Sequence, residues 1–131
     1  MLADQIIRTG KKYLGIPYVY GAPSNREDIF DCSSFVRHIY GLHGIELPRN
    51  SRQQYQFGQT IPLSKLRKGD LLFFTTSKRK KRKGLERIGH VAIYLGNDTI
   101  LHTARNETKV TITSLSPYWK KVIIGAKRIL I

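Results

Sequence analysis

The sequence predicts an α+β fold, with N-terminal helices packed on a central antiparallel β-sheet of about five strands. Two observations carry this. Apolar residues recur at helical spacing in the N-terminal part, then fall into short strand-like runs from Leu71 onward. The connections between those later runs are short, which favours antiparallel neighbours. With 131 residues, 40% of them hydrophobic, the chain is expected to form one domain over 1–131 with its own core.

Taken in order, Leu2, Ala3, Ile6, Ile7 and Leu14 predict an amphipathic helix over roughly 3–14, ended by Gly15. A Gly- and Pro-marked loop follows and carries Tyr18 and Tyr20. Phe35, Val36, Ile39 and Tyr40 predict a central helix from about Cys32 to Leu42, with Gly44 as its stop. Leu47 to Gln54 reads as a polar turn entering a short helix, Leu63 and Leu66 mark another short turn, and Lys68-Gly69-Asp70 is a tight turn. Strands are predicted at Leu71–Phe74, His90–Leu95, Thr99–Thr103, Lys109–Thr113 and Val122–Leu130, the last bent near Gly125. No internal repeat is visible.

Composition narrows the function classes. One cysteine excludes an internal disulfide framework and argues against a structural zinc site. No apolar run approaches the ~20 residues of a transmembrane segment. The start, Met1 to Gln5, lacks a basic region followed by an apolar one, so no signal peptide is expected. A cytoplasmic protein, another export route and a piece of a longer secreted chain all stay open.

Twenty-three Lys and Arg face nine Asp and Glu, a net charge of +14 that will attract polyanions. Lys78, Arg79, Lys80, Lys81, Arg82 and Lys83 form an uninterrupted basic run, expected to be an exposed, mobile loop. Either it is a solvated insertion or it is an electrostatic arm. Nucleic acid is not the expected partner, because aromatic and basic residues are not interleaved as in single-strand binders.

The lone Cys32 follows Asp31, a favoured N-cap residue. A sulfur in the first helical turn meets unpaired N–H groups and the positive end of the helix dipole, which favour the thiolate. The hairpin Val91 to Thr103 adds a second group. With a three-residue loop Gly96-Asn97-Asp98, Leu95 pairs with Thr99, Tyr94 with Ile100 and Ala92 with His102. His90 and His102 then share a face, their Cα atoms roughly 7–8 Å apart. A two-residue turn would send them to opposite faces.

If the histidine face meets the tip of the Cys32 helix, Cys32 attacks, His90 is the base, and His102 fixes its tautomer. The Cys32 backbone N–H is a candidate oxyanion donor. From the residues alone, an inert buried cysteine and a pair of core or weakly metal-binding histidines remain open readings. His38 and His43 read as surface residues.

Several ordered motifs resemble the NlpC/P60 family of papain-like cysteine peptidases. Gly15-Ile16-Pro17-Tyr18-Val19-Tyr20-Gly21 is similar to the family's entry loop, and Asp31-Cys32-Ser33-Ser34-Phe35-Val36 to its nucleophile motif. Leu47-Pro48-Arg49-Asn50-Ser51 with Gln54, Gly69 to Phe74, Gly89 to Gly96, and Ile100-Leu101-His102 follow in the family's order. Ala22 and Ser34 stand where glycine is common, and the basic loop is longer and more charged than usual.

The resemblance implies a papain-like fold and hydrolysis of peptidoglycan stem peptides, typically at the γ-D-glutamyl–diamino acid bond. It implies Cys32, His90 and His102 as the catalytic triad, Tyr20 as the hydroxyl near the nucleophile, and Asp31, Ser33, Arg49 and Ser51 as pocket residues. Arg49 is chemically suited to a substrate carboxylate. No metal or cofactor is implied. A monomer in the cell envelope or outside the cell is expected, with contact between the 78–83 run and anionic wall polymer. An amidase or acyltransferase on the same fold, or a basic polyanion-binding module without catalysis, are the alternatives.

Overall fold

The computed structural model describes residues 1–23 and 25–130. Among them, four α-helices are α1 (Leu2–Lys11), α2 (Cys32–Gly41), α3 (Ser51–Gln54) and α4 (Pro117–Lys121). Six strands are β1 (Gln59–Ile61), β2 (Leu71–Phe74), β3 (His90–Gly96), β4 (Thr99–Thr103), β5 (Val110–Ser114) and β6 (Ile123–Arg128). They form one sheet in the order β1-β6-β2-β3-β4-β5, each neighbour antiparallel. The α+β architecture is as the sequence predicts, with β1 and α4 added and α1 ending a turn early.

Strand alternation divides the core. Leu71, Phe73, Val91, Ile93 and Leu101 face α1 and α2 and pack with Ile6, Phe35, Val36 and Ile39. Burying each such side chain contributes about 1.5–3 kcal/mol. The helices sit close to the sheet because Gly10 leaves room: a Cβ there would lie 2.7 Å from Leu101 Cδ2. Leu72, Phe74, Ala92, Ile100 and Ala126 point to the other face, under Trp119 of α4.

Two polar anchors hold the β2 end. Arg128 Nε is 2.9 Å from Asp70 Oδ1 in an ion pair whose carboxylate is almost fully buried, and Tyr40 donates its hydroxyl proton to the Gly69 carbonyl. Gly69, at φ +88°, makes the tight turn the sequence marks.

The β3–β4 hairpin differs from expectation in an instructive way. Its turn is two residues, Asn97 and Asp98, both at positive φ as a primed turn requires. Gly96, not Leu95, faces Thr99, and the register shifts between Tyr94 and Gly96. The irregularity restores the parity that a two-residue turn alone would have reversed. Tyr94 therefore pairs with Ile100 as predicted.

Candidate active site

The tip of α2 is built by Asp31. Its carboxylate accepts the Ser34 backbone N–H at 2.8 Å, and Ser34 Oγ accepts the Asp31 N–H at 2.9 Å. This reciprocal capping box fixes the first turn. Ser34 thus has a task that a glycine there could not perform. Cys32, half-buried, is the first helical residue, and its thiol points to the Gly89 carbonyl at 4.0 Å.

His90 opens β3 immediately after Gly89. Its Nε2 lies 2.8 Å from His102 Nδ1, and His102 Nε2 lies 3.1 Å from Thr113 Oγ1 on β5. One proton arrangement satisfies the chain with a neutral base: His90 Nε2–H donates to His102 Nδ1, and His102 Nε2–H donates to Thr113. That leaves the His90 Nδ1 lone pair free.

The two imidazoles occupy the face opposite α2, with Phe74 and Trp119. The Trp119 ring centroid is 5.3 Å from that of His90 and 5.1 Å from that of His102. The histidine face as a whole is thus turned away from the body of α2. The strand end meets the helix end, as the place of His90 at the start of its strand allows, with Gly89 in contact with the sulfur. Cys32 and His90 line one cleft of about 670 Å³.

The electrostatics also correct an expectation. Burial pushes the Cys32 thiol up to about 11, and the Asp31 charge adds to the push. The Val91 and Ser33 backbone N–H groups and the Arg49 charge oppose it without cancelling it. Burial, then the neighbouring His102, holds His90 well below its ordinary 6.5, and burial lowers His102 to about 4. Both shifts run toward the neutral forms, a thiol and an imidazole lining one cleft, and so against the thiolate that the helix tip favours.

The other anticipated residues divide. Ser33 and Ser51 are buried and line the cleft. Arg49 spends its guanidinium on Asp31 Oδ2 at 3.1 Å, Ser33 Oγ at 3.1 Å and the Ala22 carbonyl. It braces the cap while also lining the cleft, as does Asp31. Tyr20 is 68% exposed at the cleft rim. Tyr18, half-buried, also lines the cleft, its phenol pushed up by burial, then by Cys32 and Asp31.

The basic run is not a free arm. Lys78 and Arg79 line the cleft, and Arg79 and Arg82 pair with Glu86 at 3.0 and 3.6 Å. Lys80, Lys81 and Lys83 are exposed. His38 binds Glu27, and His43 binds Thr9, both away from the cleft.

Sequence reasoning gave no role to Thr113, Trp119 or Arg105. Thr113 had a visible signal: alternation along 109–113 places it on one face with Thr111, which pairs with His102. Trp119 and Arg105 had none.

The NlpC/P60 family profile matches residues 15–128. The chain belongs to the NlpC/P60 family. Curated relatives include a gamma-D-glutamyl-L-lysine dipeptidyl-peptidase of Bacillus cereus, 39% identical over 98% of this chain and 37% of that protein. Others are peptidoglycan DL-endopeptidase CwlO of Bacillus licheniformis, 38% identical over 95% and 27%, and murein DD-endopeptidase MepH of Escherichia coli, 36% identical over 89% and 42%. The chain thus spans less than half the length of these relatives.

Among solved structures, an NlpC/P60 family protein from Bacillus cereus superposes with TM-score 0.86 at 38% identity, covering 98% of this chain and 40% of that one. The NlpC/P60 domain of the peptidoglycan hydrolase SagA gives 0.77 at 28% identity, covering 96% and 97%. An NlpC/P60 domain therefore accounts for nearly all of the present fold.

Proposed function

We propose that this NlpC/P60 domain is a cysteine endopeptidase that cleaves peptidoglycan stem peptides at the γ-D-glutamyl–diamino acid bond. The observation that carries this is the shared cleft. A thiol at a helix tip and an imidazole at a strand end line it together, and the imidazole's far nitrogen is bonded to a second imidazole. The named relatives cut more than one kind of bond, so similarity favours peptide hydrolysis more firmly than the bond. The γ-D-glutamyl choice follows the relative with 39% identity.

The chemistry follows from the neutral pair. As Cys32 sulfur attacks the γ-carbonyl, His90 Nδ1 takes the thiol proton, so the two charges form together beside each other. The oxyanion is stabilised by the Cys32 backbone N–H and the Tyr18 hydroxyl. Collapse breaks the C–N bond, and the imidazolium gives its proton to the leaving amine. Water, losing a proton to His90, then cleaves the thioester and releases a carboxylic acid and the thiol. His102, braced by Thr113, holds His90 in the tautomer whose Nδ1 can act.

Exposed Lys80, Lys81 and Lys83 are proposed to hold anionic wall polymer near the cleft. Because Lys78 and Arg79 belong to the cleft, the suitable test replaces only those three with serine. It should weaken polymer binding and spare cleavage of a short peptide.

Mass spectrometry of purified muropeptides after incubation tests the main reading. Products split between glutamate and the diamino acid support it. Products split elsewhere in the stem reassign the bond, and unchanged muropeptides refute the endopeptidase.

A further inference from the structure

The cleft is strongly cationic. Arg49, Arg52, Lys78, Arg79 and Arg105 line it, against the single carboxylate of Asp31. Three of the five cations are engaged within the protein. Arg49 holds Asp31, Arg52 donates to the Ile88 carbonyl at 2.7 Å, and Arg79 pairs with Glu86 at 3.0 Å.

Lys78 and Arg105 have no carboxylate within ion-pair distance among the described residues. Both stand over one aromatic ring. Lys78 Nζ is 5.9 Å and the Arg105 guanidinium carbon 5.6 Å from the centroid of Tyr20. The three residues come from separate segments: the entry loop, the chain after β2 and the chain after β4. Tyr20, Lys78 and Arg105 are all exposed, and a cation–π contact at such a site positions a cation without neutralising it. Two positive groups gathered on an exposed ring at a cleft rim form a ready receptor for a carboxylate, which can take a bidentate contact from arginine and a point charge from lysine.

Resting on the peptidase reading above, we propose that Lys78 and Arg105, seated on Tyr20, form a carboxylate-binding subsite that selects stem peptides by an ionised carboxylate. A γ-linked glutamyl residue offers one, since its α-carboxylate is not used in the chain. The terminal carboxylate of the diamino acid offers another. Arg49, the residue whose chemistry suits this task on sequence grounds, is already committed to Asp31.

The test uses L-Ala-γ-D-Glu-L-Lys in three forms: both carboxylates free, the glutamyl α-carboxylate amidated, and the lysyl carboxylate amidated. For the wild-type chain, one amide should lower kcat/KM by about tenfold to a hundredfold, chiefly through KM. Whichever amide does so names the source of the carboxylate. In Arg105→Ala and Lys78→Ala, that free-to-amide ratio should collapse toward one. A ratio unchanged from wild type in both variants, or a wild type indifferent to both amides, overturns the subsite.

Binding of the same peptides to Cys32→Ala by calorimetry separates this from the peptidase reading. Preference for the free carboxylate, lost in the Arg105→Ala and Lys78→Ala double variants with Cys32→Ala, sustains the subsite even where no bond is cut. Equal affinity for all three forms overturns it.

Discussion

His90 Nε2 and His102 Nδ1 face each other at 2.8 Å under the ring of Trp119. A hydrogen bond needs one donor and one acceptor, and both rings are kept neutral by burial, so one ring must donate and the other accept. Thr113 Oγ1 at the far side of His102 lets both bonds run in the same sense. The three groups form a tautomer lock, and it serves the nitrogen that remains.

The lock separates the roles of the two histidines. His90→Ala should lower kcat by about 10³-fold, because the proposed base is lost. His102→Asn should lower it less than His102→Ala, since an amide oxygen can still accept from His90 Nε2–H. Steady-state kinetics on a γ-glutamyl peptide check this. Equal losses in all three variants would mean His102 acts in another way.

The pH dependence carries a sign. Protonation of His90 would remove the proposed base, and its burial places that event well below 6.5. The acid limb of kcat/KM should therefore lie below pH 6.5, with activity retained at pH 6. Trp119→Ala admits water to both rings and eases the desolvation that lowers them. Its acid limb should move toward higher pH by a measurable fraction of a unit or more. An unmoved limb would show that Trp119 does not shield the histidines.

The thiol makes a matching prediction. With Cys32 pushed up to about 11, the free protein holds little thiolate near neutrality. Alkylation by iodoacetamide should rise about tenfold per pH unit between pH 6 and 9, with no acid plateau. A plateau extending down to pH 5 would reveal a preformed thiolate–imidazolium pair instead.

Arg49 and Asp31 should be coupled in stability, since they bond to each other and share the cap of α2. Each single alanine substitution should cost about 1–2 kcal/mol in urea unfolding, and the double variant less than the sum. Strict additivity would remove the bracing role given to Arg49.

Much of this was legible in the residues. The helix at Cys32, its Asp31 cap, and the strands at 71–74, 90–96 and 99–103 follow from local pattern, and local pattern is what sets them. β1 escaped because Gln59-Thr60-Ile61 is short and mostly exposed. α4 escaped because it holds only five residues, Pro117 the first of them. The hairpin turn is one residue shorter than the pattern suggests, yet the histidines keep their common face because the shift at Leu95 compensates. The thiolate expectation left out the opposing push of burial. A helix tip is a local feature, whereas the burial that raises the thiol depends on how the whole chain packs around the sulfur. Arg49 illustrates the same limit: its chemistry is visible in the sequence, but its commitment to Asp31 is tertiary.

The most direct trial is rapid-quench intact mass spectrometry of the protein mixed with a γ-glutamyl peptide. It should reveal a transient acyl adduct, mapped by digestion to Cys32 and absent from Cys32→Ala, which should also lose turnover. Turnover retained by Cys32→Ala, or an adduct on any other residue, would contradict the assignment of this sulfur as the nucleophile.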